Sequence, residues 1–421
     1  MPAPTTPTTT TGEAPATDMS TSLTGLPTDH SRAVADGAHS HGVVIPDLSR
    51  ADRVTSFDVA DFPVPTGREE QWRFTPIDRL TPLFRDEAAP GHLTWSVSDL
   101  PAGVTLTEVP ADAARERSVR APGDRAAAVA AARSEGAMVL AVAPGTVVAE
   151  PITIHLAGAG EDVRGHVLVE IGSSAEATVV IEHTGTAQFS EFVSVDLADN
   201  AGLNLVMLQL WDRGAVHAGE VVARLGRDAR LHGSVVSLGG DVVRLNTSAA
   251  FAGEGGDVNL FGLYFADSDQ HLEHQLFVDH AAPRCRSRVT YKGALQGDGA
   301  HAVWIGDVLI RAAAEGTDTY ELNRNLILSD GARADSVPNL EIETGEIEGA
   351  GHASATGRFD DEQLFYLRSR GIPEVDARRL VVRGFFAELV QEIGVPEIET
   401  RIMAAIEAEL ESSMASLAVA P

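Results

Sequence analysis

Between Ala137 and about Ile347 apolar and polar positions alternate in short β-branched runs: Met138 to Val142, Ile152 to Leu156, Val167 to Ile171, Thr178 to Ile181, Phe192 to Leu197, Leu203 to Leu210 and Val221 to Leu225. Period-two alternation bounded by turn residues predicts strands with one buried face. The turns recur. Gly172 to Ala175, Asp199 to Ala201, Arg227 to Ala229 and Glu254 to Gly256 set a small residue at matching points 26, 28 and 27 residues apart. A period in the twenties made of strands and turns, with no helix between, predicts a β-solenoid whose coils stack around a common apolar interior. Leucine-rich repeats share that period but need a Leu-x-x-Leu-x-Leu pattern, which is missing here. A β-sandwich offers as many strands and rarely keeps so even a spacing. Later turns at Gly297-Asp298-Gly299 and Ser329-Asp330-Gly331 leave the period, so the last coils read as irregular or looped.

Different textures flank this region. Residues 1–55 are rich in Thr, Pro, Ala and Ser and poor in aromatic residues, a composition too apolar-poor to offset chain entropy, and read as a disordered tail. Residues 56–136 form a mixed helical segment, in which Trp72 anchors a short turn stopped near Pro76 and an Ala-rich helix runs from Asp124 to Ser134. The core is assigned to 137–352 and a helical C-terminal domain to 353–421. There Asp360 caps a helix with Gln363 as capping-box partner, and Gly371 with Pro373 closes it. In the next helix Val381, Phe385, Leu389 and Ile393 repeat at every fourth position, with Val382, Phe386 and Val390 alongside. So wide an apolar face either lies between two neighbours or presents itself to another protein.

Charge and cysteine content narrow the function classes. The 421 residues carry 32 Lys plus Arg against 61 Asp plus Glu, a formal charge of −29, which repels phosphate backbones and anionic lipid. Nucleic acid and membrane are therefore excluded as main partners. The single Cys285 rules out an internal disulfide or a Cys-only metal site. With no secretory pattern at the N-terminus and no apolar run near about eighteen residues, the chain reads as cytoplasmic. It lacks a Gly-x-x-x-x-Gly-Lys-Ser/Thr phosphate loop.

Candidate chemistry is sparse. His352 stands alone in Gly349-Ala-Gly-His-Ala-Ser-Ala-Thr-Gly357, sterically open, with Glu346 and Glu348 close enough in sequence to orient its ring. The bland reading is a solvated or hydrogen-bonded imidazole. Cys285 lies between Arg284 and Arg286, which would lower its pKa if the guanidiniums are near; otherwise it is a small buried hydrophobe. His271, His274 and His280 fall in a strand-like run, where 271 and 274 face opposite ways and suit one metal poorly. Accidental tail histidines are the better account of His30, His39 and His41.

An ordered set of motifs then resembles the SufB/SufD family of iron–sulfur cluster assembly proteins, closest to SufD. They are Glu70-Gln-Trp72-Arg-Phe-Thr-Pro76, Tyr291-Lys-Gly-Ala-Leu295, Tyr320 to Ser329, Pro338 to Ile342, Gly351-His352-Ala353 and Asp361 to Ile372. The likeness runs from about Phe62 to the C-terminus. It implies a right-handed parallel β-helix flanked by helical segments, and a non-catalytic scaffold working with a SufB-like paralogue, a SufC-like ABC ATPase and, indirectly, a cysteine desulfurase system. It implies a transient iron–sulfur cluster shared with the partner, with His352 as an iron or cluster ligand at the subunit junction and Cys285 as a second, lesser metal candidate; it leaves flavin open. The segment after Asp360 is similar to the part that docks the ATPase, which makes Phe365, Tyr366, Arg370, Phe385, Phe386 and Leu389 candidate partner contacts. Where relatives often carry a Cys two residues before the His, this chain has Ala350, so the thiolates iron–sulfur clusters need must come from the partner. Two other classes compete: a β-helix enzyme acting on polysaccharide, needing an acidic row such as Asp196, Asp199, Glu220 and Asp241, and a metal-free, homodimeric interaction scaffold.

Overall fold

The computed structural model describes residues 53–359 and 361–417. The tail up to residue 52 and the Asp360 cap lie outside them. Helices α1 (Ile77–Leu80), α2 (Ala111–Arg117) and α3 (Arg125–Arg133) belong to the N-terminal segment, with strands β1 (Thr94–Val97) and β2 (Val104–Pro110) between them. β1 pairs antiparallel with β4 (Ile152–Ile171), and β2 with β3 (Gly136–Val142). The chain then winds into a parallel β-solenoid of about 8 turns, as the turn spacing predicts.

β3 (Gly136–Val142) is followed by two long strands, β4 (Ile152–Ile171) and β5 (Glu176–Leu197). β5 runs through both faces of its coil, pairing β6 with its first half and β7 with its second. Beyond it every coil places one strand in each of two faces. One face holds β6 (Gly202–Trp211), β8 (Arg230–Ser237), β10 (Asp257–Ala266), β12 (Arg286–Leu295), β14 (Asp318–Ile327) and β16 (Gly349–Arg358). The other holds β7 (Val216–Leu225), β9 (Val242–Phe251), β11 (His271–His280), β13 (His301–Ile310) and β15 (Arg333–Ile342). Inward positions such as Ile181, Val193, Leu205, Leu231, Leu260 and Val289 form one continuous core.

The corners explain the repeat. Ser174, Asn200, Asp228, Gly255, Arg284 and Gly316 all have positive φ, one per coil at the same corner. That geometry turns each amide toward the next coil: Ser174 N donates to the Asp199 carbonyl at 3.0 Å, Asn200 N to Arg227 at 2.7 Å and Arg284 N to Glu315 at 2.7 Å. The residue after each points inside, where only a small group fits: Ala175, Ala201, Ala229, Gly256, Cys285 and Thr317. Gly214, Gly240, Asp269, Gly299 and Gly331 mark the opposite corner in the same way. The turns at 297–299 and 329–331 therefore belong to this second series and do not depart from the repeat. The last coils are longer by a few residues, and their strands are regular ten-residue elements.

Both outer faces are covered by the chain itself. Trp72, Leu80, Leu83 and Phe84 pack on Val216, Ala218 and Val242, while Ala127, Ala130 and Ala131 of α3 lie on Phe192 and Val222. Asp124 caps α3 by accepting from Ala127 N at 3.0 Å and also binds the buried Arg244 guanidinium at 2.7 Å. Arg244 stacks 3.6 Å over the Trp72 ring, so the predicted Trp72 anchor is fixed by a cation–π contact and an ion pair together. On the opposite face lie α5 (Glu374–Gln391) and α6 (Pro396–Leu417), with α4 (Asp361–Ser369) against α5. Val382, Phe386, Leu389, Val390 and Ile393 of α5, with Ile402 and Ile406 of α6, bury Val180, Val206, Leu208, Val236, Leu263 and Phe265. The wide apolar face is thus one that lies between neighbours within the chain. No helix among the described residues is long and apolar enough to cross a membrane.

Candidate functional site

The solenoid ends on β15 and β16, which are the two outermost strands of the sheet order: β15 pairs β13 and β16 pairs β14, each on one edge alone. β16 reaches Arg358, so the core extends past residue 352 before the helices begin. No further coil covers these strands among the described residues, and their inward positions form an open end layer. Ala334, Leu340, Ile347 and Ala350 are half-buried against the core beneath, and Ile342 is 46% exposed. A row of unpaired backbone groups above an apolar layer is a template for another chain.

His352 sits in this layer and is exposed. Glu321 of β14, which is buried, is its register partner one coil below. Among the described residues nothing hydrogen-bonds or ion-pairs with the imidazole, and Glu346 and Glu348 are themselves exposed rather than aligned with it. The acidic residue that register sets beside His352 is Glu321, thirty-one positions earlier, and sequence proximity could not have found it. Gly351 next to the His leaves room for the Tyr320 ring, whose Cδ2 lies 3.3 Å from where a Cβ would stand. That packing holds the strand while leaving the His open.

Cys285 is elsewhere, in the inward slot after the corner residue Arg284. It is 1% exposed, and its thiol donates to the carbonyls of Pro283 at 3.4 Å and Gly253 at 3.5 Å. Burial pushes the thiol pKa up, and Glu254 opposes Arg284, so the flanking arginines do not activate it. The buried-hydrophobe reading describes it. β11 is a strand, as read: His271 binds Glu273 at 2.9 Å while His274 stacks on Tyr264 with centroids 5.3 Å apart.

The six candidate partner contacts divide. Phe386 and Leu389 are buried in the chain's own core, and Phe385 packs half-buried beside them, its carbonyl accepting from Lys292 Nζ at 3.1 Å. Reading Phe386 and Leu389 as partner contacts is corrected: the solenoid face already occupies them. Phe365 is 74% and Tyr366 55% exposed on α4, with the Arg370 guanidinium 4.8 Å over the Tyr366 ring. The proposed acidic row is also dispersed. Asp196 pairs with Arg224 at 2.7 Å, Glu220 with Arg120 at 3.1 Å, Asp199 with Arg227 at 3.6 Å and Asp241 with Arg213 at 3.8 Å, so each carboxylate is matched by a guanidinium instead of facing a sugar cleft.

Residues 154–385 match the family model described as SUF system FeS cluster assembly, SufBD core domain. The chain belongs to the SufBD family. An iron–sulfur cluster assembly SufBD family protein of Mycobacterium tuberculosis is 54% identical over 372 residues, covering 86% of this chain and 94% of that protein. The iron–sulfur cluster assembly protein SufD of Escherichia coli is 30% identical over 257 residues, 59% of this chain and 60% of its own length. SufD of Bacillus subtilis is 27% identical over 351 residues, 78% and 79% of the two chains. The SufBD core match begins inside β4 and ends within α5, so it takes in the end layer, His352 and the exposed part of α4.

Proposed function

We propose that this chain is a SufD-like, non-catalytic scaffold subunit that joins a Cys-bearing SufB-like paralogue end to end and lends His352 to iron or a nascent cluster at the junction. The cluster is cargo. The observation that carries this reading is the open solenoid end, where unpaired strand edges, a half-exposed apolar layer and one unengaged imidazole coincide. A partner that adds a layer there removes water from Leu340, Ile342 and Ala350 and brings its thiolates against the His. The SufC-like ATPase is assigned to the exposed α4 surface around Phe365, Tyr366 and Arg370, an aromatic and Arg combination typical of interface centres. The chain itself, without a phosphate loop, hydrolyses no ATP.

Ile342→Arg tests the end-on arrangement. The side chain is half exposed, so the variant folds with an unchanged circular dichroism spectrum, but a guanidinium in the layer opposes apolar docking. Tagged protein from co-expression with the paralogue and the ATPase retains the paralogue in wild type and loses at least nine-tenths of it in the variant, while the ATPase remains. Undiminished capture of the paralogue by Ile342→Arg rejects the end layer as the interface.

A further inference from the structure

A second polar constellation lies inside the solenoid, far along the chain from the end layer. Most inward positions of the neighbouring strands are apolar, among them Ile181, Phe189, Val193, Met207 and Val221. Against that lining His183, Glu191, Gln209 and His217 also face inward, and all four are buried. Polar groups are costly there unless each is satisfied. Topology brings them together. β5 bends at Gly185, whose φ is +72° and whose missing Cβ would lie 2.2 Å from the Gly158 carbonyl oxygen, so only glycine permits the coils to stack at the bend. His183 and Glu191 stand on the two arms of that bend. Gln209 is level with His183 on β6, and His217 is level with Phe189 on β7.

The hydrogen bonds fix the protons. An indole N–H can only donate, and Trp211 Nε1 lies 2.9 Å from Gln209 Oε1, so that atom is the acceptor. The indole also lies 3.3 Å from His217 Nδ1, but that nitrogen is only 2.8 Å from the same oxygen, too close for two bare acceptors, so His217 Nδ1 carries a proton. Its Nε2 is then a bare lone pair, and it points at Glu191 Oε2 at 3.4 Å. Neither atom has a hydrogen-bond partner. Two acceptors facing each other in a buried site call for a positive charge between them. On the other side Glu191 Oε1 lies 3.2 Å from His183 Nε2. With Gln209 Oε1 so engaged, its Nε2 donates to His183 Nδ1 at 3.2 Å, and His183 Nε2 carries the proton that Glu191 Oε1 accepts. The Leu208 carbonyl, 3.3 Å from Nδ1, can accept from a proton moved to that nitrogen when Nε2 turns to an ion.

We propose that His183, Glu191 and His217 bind one divalent transition ion of the zinc or ferrous class inside the solenoid. The three donor atoms lie within 4.8 Å of one another. Neighbouring donors on a tetrahedral ion with bonds of about 2.0–2.1 Å are about 3.4 Å apart. Each ring nitrogen is near that distance from a different carboxylate oxygen, His183 Nε2 from Oε1 and His217 Nε2 from Oε2, so the carboxylate faces both rings. Two imidazoles and a carboxylate are a donor set that suits Zn2+ and Fe2+ and leaves a coordination position open. Gln209 Oε1 holds the His217 ring from behind by accepting from Nδ1, the usual office of a group that orients a metal-binding histidine. A cavity of about 680 Å³ bounded by Leu93, Met138, Val163, His166 and Phe189 has Glu191 in its wall, giving the ion a way in. The ion would tie the bend of β5 to β7, and it is independent of the role proposed for His352.

The test uses the full chain, stripped with a chelator and titrated anaerobically with Co2+ as a coloured probe and then with Zn2+. One equivalent of Co2+ is expected, with the intense ligand-field absorption of a low-coordinate site, displaced by Zn2+, and with a rise in Tm at saturation because the ion binds the folded state alone. Glu191→Gln, which keeps side-chain shape, and His217→Gln, which keeps a polar side chain of similar size, are expected to bind at least tenfold more weakly and to show no Tm rise. Should those variants fail to fold, the wild-type titration decides. No one-to-one complex with a Tm rise means a shared proton occupies the gap, and this overturns the site, as does uptake by folded variants equal to wild type.

Discussion

His352→Ala is expected to leave the association of this chain with the proposed paralogue and ATPase unchanged and to cut the cluster formed on the proposed complex at least tenfold. The imidazole is exposed and makes no hydrogen bond among the described residues, so truncating it removes no cohesive contact within the chain. Surface substitutions away from such contacts usually stay within about 0.5 kcal/mol. The loss appears only where the ring nitrogen is a ligand. His352→Cys distinguishes a ligand from a seam hydrogen bond, because thiolate is a competent iron donor and restores part of the cluster. Under a hydrogen-bonding role Asn or Gln would serve instead. Anaerobic reconstitution, with iron and sulfide counted per complex, reads both. Full assembly by His352→Ala would take the residue out of the mechanism.

Phe386→Ala is expected to destabilise the chain by about 3–5 kcal/mol, the range for emptying a buried aromatic site. Phe386 is 0% exposed in the cluster that joins α5 and α6 to Val206, Leu208 and Phe265 of the solenoid face. Urea unfolding followed by fluorescence measures the loss as a lower midpoint. Phe365→Ala, at a residue 74% exposed, is expected to change that midpoint little and to weaken capture of the ATPase. If instead Phe386→Ala kept full stability and lost the ATPase, the helix would be a docking surface and its packing on the solenoid incidental. Deleting everything after Gly357 is a poorer experiment. It would strip the cover from this face and also break the Arg401 to Glu182 pair, whose two bonds are 3.0 and 2.6 Å, so aggregation would mask any effect on partners.

The repeat was legible because one corner of each coil needs a positive φ followed by a small inward side chain, which confines Ser174-Ala175, Asn200-Ala201 and Asp228-Ala229 to a few residue types. The second corner uses the same signal. Its turns at 297–299 and 329–331 look out of phase only when both corners are counted as one series. The width of the apolar face on α5 was also plain, but an amphipathic pattern records that a face is buried and not by what; Phe386 and Leu389 went to the chain's own solenoid. Parity along a strand places His352 inward, whereas its neighbour Glu321 follows from register between strands joined by a long coil. The same holds for His183, Glu191 and His217. Their spacings match no local metal pattern, and only the bend at Gly185 together with coil stacking brings them together.

His352 is proposed to give a nitrogen ligand to a cluster at the junction with a Cys-bearing partner. The most direct measurement is pulsed electron paramagnetic resonance on the reduced cluster of the reconstituted complex, with this chain alone carrying 15N-labelled histidine. A directly coordinated 15N coupling that disappears in His352→Ala is the result predicted. A paramagnetic cluster at full occupancy with no such coupling, or with one that persists in His352→Ala, would contradict it.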